Sequence, residues 1–123
     1  MANPLPASVL VRDGDTTVKA SPLIELLRQL VDSDPRQREQ GADQVTDWIN
    51  SYSPAESITL ATVLSASAAR EQSHAALEAQ LHAILELASN GQVRVQHIAH
   101  LSEIDPGELP ATLQEYIADL LEG

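Results

Sequence analysis

Three times in the first half of this chain a small polar residue stands directly before a proline: Ser21-Pro22, Asp34-Pro35 and Ser53-Pro54. A Ser or Asp side chain accepts a hydrogen bond from a first-turn amide of a helix, and proline gives up only an amide that the first turn leaves unused. Each pair reads as a helix start, and three in succession commit the chain to a series of helices. Gln37 and Glu56 stand three residues after Asp34 and Ser53, the spacing of a capping box. The composition points the same way, with 17 Ala, 17 Leu, no Phe, and only Trp48, Tyr52 and Tyr116 as aromatics. Large and small aliphatics suit closely packed helices, whereas strands favour β-branched and aromatic residues.

Apolar spacing extends the reading along the chain. Leu23, Leu26, Leu27 and Leu30 recur at helical intervals after Ser21-Pro22. A second helix is expected from Pro35 to about Asn50, with Arg38, Ala42, Val45 and Ile49 on one stripe. A third carries Ile58, Ala61, Leu64 and Ala68 and ends in the polar stretch Arg70 to Ser73. A fourth, from His74 to Ser89, stops at Asn90-Gly91. It has Leu77, Leu81, Ile84, Leu85 and Ala88 on one side and Ala75, Ala76, Ala79 and Ala83 on the other, so it is expected at the centre. A shorter fifth holds Val95, Ile98 and Leu101. After a loop through Asp105-Pro106-Gly107, the last starts near Pro110 and buries Leu113, Tyr116, Ile117 and Leu120. The expected fold is all-α, six helices in three antiparallel hairpins, with an irregular six-helix bundle as the alternative. Residues 21–123 form one domain by length. Residues 1–20 are read as a flexible arm, or as a hairpin turning at Asp13-Gly14 between Val9–Val11 and Thr16–Val18.

The second and fourth helices overlay at a 39-residue offset: Ala42 on Leu81, Val45 on Ile84, Trp48 on Leu87. A period near ~40 is typical of paired-helix repeats. The stretch from Leu30 to Ala42, with Asp32 in the turn and Arg38 six positions later, resembles the turn and second-helix start of a HEAT repeat. The resemblance covers residues 22–51 well, 54–90 in outline, and 92–122 without the Asp–Arg pair. Gln37 stands where a buried aliphatic is usual in that family, and Gly41 where alanine is usual. The resemblance implies a short solenoid of stacked hairpins in which Asp32 and Arg38 tie one turn to its neighbour.

Catalytic chemistry has little support in the sequence. No Gly-x-Ser-x-Gly elbow and no glycine-rich phosphate loop is present. The chain has no cysteine, which removes disulfides and thiolate metal sites. His97 and His100 are spaced to share an ion, but no third ligand completes a set, so ordinary surface or partly buried histidines are expected and no metal or cofactor is assigned. No apolar run is long enough to span a bilayer and no basic leader precedes one, so a cytoplasmic location is expected.

The formal net charge of −11 disfavours direct binding to nucleic acid or to an anionic membrane and favours a basic protein partner. Glu39, Asp43 and Asp47 recur every four residues on the polar side of the second helix. In a hairpin stack, helices two, four and six share one surface, which would collect Glu39, Asp43, Asp47, Glu86, Glu115 and Asp119. The expectation is a non-catalytic module docking a cationic protein there. In size, charge and helical-repeat look it is similar to the stand-alone immunity proteins that neutralise toxins. The other readings are a solvated face that only maintains solubility, a scaffold self-associating through the alanine side of helix four, a mimic of nucleic-acid charge, and a small histidine enzyme. Trp48, at the edge of the second helix's apolar stripe with Tyr52 one turn on, is expected in the core, with a binding hot spot as the alternative.

Overall fold

The computed structural model describes residues 16–122, and side chains from 22 onward. The described residues are helical with no strand. They comprise α1 (Thr16–Leu30), α2 (Pro35–Asp47), α3 (Pro54–Ala68), α4 (His74–Ala88), a 3-10 segment (Val95–Glu103) and α5 (Ala111–Glu122), plus 3-10 turns at Ile49–Ser51 and Pro106–Glu108. No helix among them is long and apolar enough to cross a membrane.

The polar-Pro signals locate two of the three starts they mark. Asp34 caps α2 by accepting from the Arg36 amide at 2.9 Å. Ser53 closes a full capping box on α3: its Oγ accepts from the Glu56 amide at 3.1 Å, and the Glu56 carboxylate accepts from the Ser53 amide at 2.8 Å. The box expected at Gln37 does not form, because the Gln37 carboxamide oxygen instead accepts from Gln29 of α1 at 3.2 Å. Ser21-Pro22 is not a start: α1 is already helical at Thr16, the first described residue, and runs through Pro22. The fixed φ of proline is itself helical, so the interruption is one missing amide donor and a ring crowding the turn before it. Thr16, Thr17 and Val18, one arm of the hairpin reading, are helical. The remainder of that reading lies outside the described residues. The stop after α4 is as expected, with Gly91 at φ +82°, a left-handed conformation open to glycine at little cost.

α1 packs on α2, α3 on α4, and the 3-10 segment on α5, each pair joined by a short connection. Across the hairpins, α1 meets α3 and α3 meets the 3-10 segment, while α2 meets α4 and α4 meets α5. The result is two layers: α1, α3 and the 3-10 segment in one, and α2, α4 and α5 in the other. The core between them is aliphatic: Leu30, Val45, Leu60, Leu64, Leu77, Leu81, Ile84, Leu87, Ile98 and Leu101 are all buried. The 39-residue overlay is visible in this packing, since Ala42, Leu81, Val45 and Ile84 are each fully buried. It fails at its third pair, where Leu87 is buried and Trp48 is 46% exposed. Trp48 is thus not a core residue. α2 ends at Asp47, Trp48 leaves the helix at φ −107°, ψ 28°, and a 3-10 turn follows, so helical phase no longer dictates where the indole points.

Three smaller differences follow from local geometry. The fifth element is 3-10 and kinks at Ile98 (φ −120°, ψ 27°), so Ile98 and Leu101 are buried while Val95 stays exposed. Leu85 of α4 is exposed despite its place on the leucine side. In α5, Leu113, Ile117 and Leu120 are buried, and Tyr116 is half-buried at the layer's edge.

Candidate functional site

The polar cluster of greatest depth joins the turns of the first two hairpins. Arg38 donates from Nη1 to the carbonyl of Asp32 at 2.8 Å, and through Nε and Nη2 to both oxygens of Glu71, each at 2.7 Å. Glu71 stands 39 positions after Asp32, in the turn between α3 and α4. The arginine therefore holds equivalent points of two successive turns. Asp32 contributes its carbonyl; its carboxylate is engaged locally, accepting from the Asp34 amide at 2.8 Å. The Glu71 side chain is 0% exposed against 19% for Arg38. It also accepts from the Ser73 amide at 3.1 Å and from the Gln80 amide nitrogen at 2.8 Å. The Ser67 hydroxyl donates to the Leu30 carbonyl at 3.3 Å and accepts from Gln80 at 3.4 Å, extending the network to the end of α1. Burial pushes the Glu71 carboxyl up, but the hydrogen bonds from Arg38, Ser73 and Gln80, with the arginine charge, hold it below the usual carboxylate range. The hydrogen bond to Glu71 does most to raise Arg38. Every contact here is internal, so the network positions the hairpins.

The six sequence-selected carboxylates all lie on the layer formed by α2, α4 and α5. Asp43, Asp47, Glu115 and Asp119 are exposed, and Glu39 and Glu86 are half-buried. None pairs with an arginine among the described residues: Arg38 is taken by Glu71, and Glu86 meets only His82, at 4.0 Å. Glu115 and Asp119 share a shallow groove with Leu85 of α4 and Tyr116. Glu78, passed over in the sequence, is exposed one turn before His82 on α4. Its apolar neighbours at Leu77 and Ala79 hide it in a linear reading, and only the helical phase brings it outward.

Three of the four histidines have polar contacts, two of them local and one across to α5. His97 Nδ1 accepts from the Arg94 amide at 2.9 Å, His100 Nδ1 lies 3.0 Å from the Glu103 carboxylate, and His82 Nδ1 lies 3.3 Å from the Tyr116 hydroxyl. The kink at Ile98 separates His97 from His100 and removes the helical register that would have aligned them. Among the described residues no three His, Asp or Glu side chains gather as a metal site requires. The alanine side of α4 is partly occupied: Ala76 and Ala83 are at 0% exposure, Ala79 is half-buried and Ala75 is exposed.

A second concave feature went unnoticed in the sequence. Leu23 and Leu26 of α1, Trp48 and Tyr52 of the α2–α3 connection, and Glu56 of α3 line a groove of about 550 Å³. The Tyr52 hydroxyl is buried with no hydrogen-bond partner among the described residues. Burial, followed by the nearby charges of Glu56 and Asp47, pushes its pKa up to about 12. No family model, curated protein or solved structure matches this chain.

Proposed function

We propose that this chain is a non-catalytic binding module that docks a basic protein through the outer surface of α2, α4 and α5, in the manner of an immunity protein neutralising a toxin, and that its hairpins stack in a HEAT-like way. The observation that carries the reading is the division of charge. Among the described residues, the one arginine–carboxylate bridge is spent inside the fold on Glu71, and none of the six outer carboxylates has an arginine partner. Like charges at four-residue spacing on α2 repel one another by tenths of a kcal/mol, a strain that a cationic surface relieves. Complementary charge also speeds encounter with such a partner.

The test is affinity capture from the source cell with mass-spectrometric identification, followed by measurement of the purified pair. Replacing Asp43→Lys and Asp47→Lys together is expected to weaken the complex by about tenfold or more and to flatten its salt dependence. An affinity unchanged by that double reversal would refute the acidic surface as the docking face. Self-association through the alanine side of α4 has less to work with, because Ala76 and Ala83 are buried within the fold and only Ala75 is fully exposed.

A further inference from the structure

Beside the shallow groove at Glu115, Tyr116 and Asp119, a larger one of about 650 Å³ lies between the end of α4, the start of the 3-10 segment and α5. The two share Leu85 and Asp119, so they form one trough along the α4–α5 seam. Its origin is in the packing: α2 covers α4 closely, whereas α5 touches α4 sparsely. The leucine side of α4 is sealed at Leu77, Leu81 and Ile84, but Leu85 is 38% exposed and Ala88 is half-buried. Val95 of the 3-10 segment, 37% exposed, lines the same trough. Two large apolar side chains open to water in one concave site offer burial to an apolar group of a partner.

Charge selects among partners. Glu115 and Asp119 are exposed in the lining, and neither forms a salt bridge among the described residues. Arg94 is the one cation in the lining, so the carboxylates outnumber it. A second copy of this chain, at −11, would set like charge against like, and nucleic acid or an anionic bilayer would be repelled as well. An apolar side chain flanked by lysine or arginine matches both the floor and the rim. An amphipathic helix repeats that pairing along one side and docks in grooves of this kind.

We propose that the α4–α5 trough receives a cationic amphipathic helix of the partner protein, its apolar stripe on Leu85 and Val95 and its basic flanks toward Glu115 and Asp119. The proposal rests on the preceding reading for a cationic partner, and adds the class of segment that partner presents and where it seats.

The full chain, isotopically labelled for amide NMR, is titrated with a leucine–lysine peptide of about 14 residues whose leucines fall at helical spacing. The control has the same composition, reordered so that no face is apolar. The patterned peptide is expected to bind about tenfold more tightly by calorimetry, and to shift the amides of Leu85, Val95 and Asp119 most. Leu85→Gln is expected to remove most of that preference while leaving affinity for the control nearly unchanged. Glutamine is a good helix former and Leu85 is exposed, so the fold survives the change. Equal affinity for the two peptides, or shifts centred on α2 or around Trp48 in the unsubstituted chain, overturns the proposal. The Asp43→Lys, Asp47→Lys variant separates the two ideas. If it weakens both peptides equally while Leu85→Gln weakens neither, the acidic docking face stands and the trough falls. If Leu85→Gln abolishes the preference while the double reversal changes neither affinity, the trough stands and docking through α2 falls.

Discussion

Arg38 shows how much a single side chain decides in this protein. Its three donating nitrogens reach the Asp32 carbonyl and both Glu71 oxygens, linking two turns that no backbone hydrogen bond joins. Because Glu71 is fully enclosed, removing its cation leaves a buried carboxylate supported only by Ser73 and Gln80. Arg38→Ala is expected to cost about 3 kcal/mol in denaturant unfolding. Glu71→Ala is expected to cost less, since the partly exposed guanidinium can turn to water. A double-mutant cycle over the two positions measures their coupling. The same pair sets a pH dependence. The Glu71 carboxyl is held below its ordinary value in the folded state, so its contribution is present above the ordinary carboxylate range of about 4 and is lost as pH falls through the lowered folded value. Acid unfolding of the parent chain should show this loss, and Glu71→Gln should lack that component. Arg38 was legible in the sequence through its place six residues after Asp32. Glu71 was not, because nothing local distinguishes it from the other acidic residues; only the 39-residue offset from Asp32 marks it.

At the scale of the element, caps and apolar spacing located α2, α3, α4 and α5 to within a few residues, since these signals act between neighbours along the chain. The start of α1 and the 3-10 character of Val95–Glu103 were not legible, being settled by which bonds the surrounding fold allows. Gly41 belongs to this scale. A Cβ there would meet Leu30 Cδ2 at 3.1 Å and Gln29 Cγ at 3.2 Å, so α1 and α2 approach more closely at this point than a larger side chain permits. Gly41→Leu is expected to destabilise the protein by about 1–3 kcal/mol, read as a lowered denaturant midpoint. Gly41→Ala is expected to be nearly neutral, because the better helix propensity, worth about 1 kcal/mol, offsets a small displacement of Leu30 and Gln29.

For the whole molecule, the excess of negative charge is the dominant long-range force. At −11, self-repulsion opposes the compact state. Raising ionic strength from about 0.01 M to about 0.15 M shortens the screening length from about 30 Å to about 8 Å. Thermal unfolding is expected to shift upward by several degrees over that range. The shift should shrink in the Asp43→Lys, Asp47→Lys variant, which remains folded because both positions are exposed. A midpoint that falls with salt would show that internal ion pairs outweigh the outer repulsion.

The sequence by itself determined that the chain is helical, where most helices begin and end, most of the aliphatic residues that face inward, and that negative charge dominates; all of these follow from short-range bonding rules and composition. Only the tertiary structure decided that Glu71 is the partner of Arg38, that Gly41 marks a close helix crossing, and that Trp48 sits at the mouth of a groove instead of in the core. Those outcomes depend on which distant segments come to lie side by side, and contacts across tens of residues leave no periodic trace in the residues that make them.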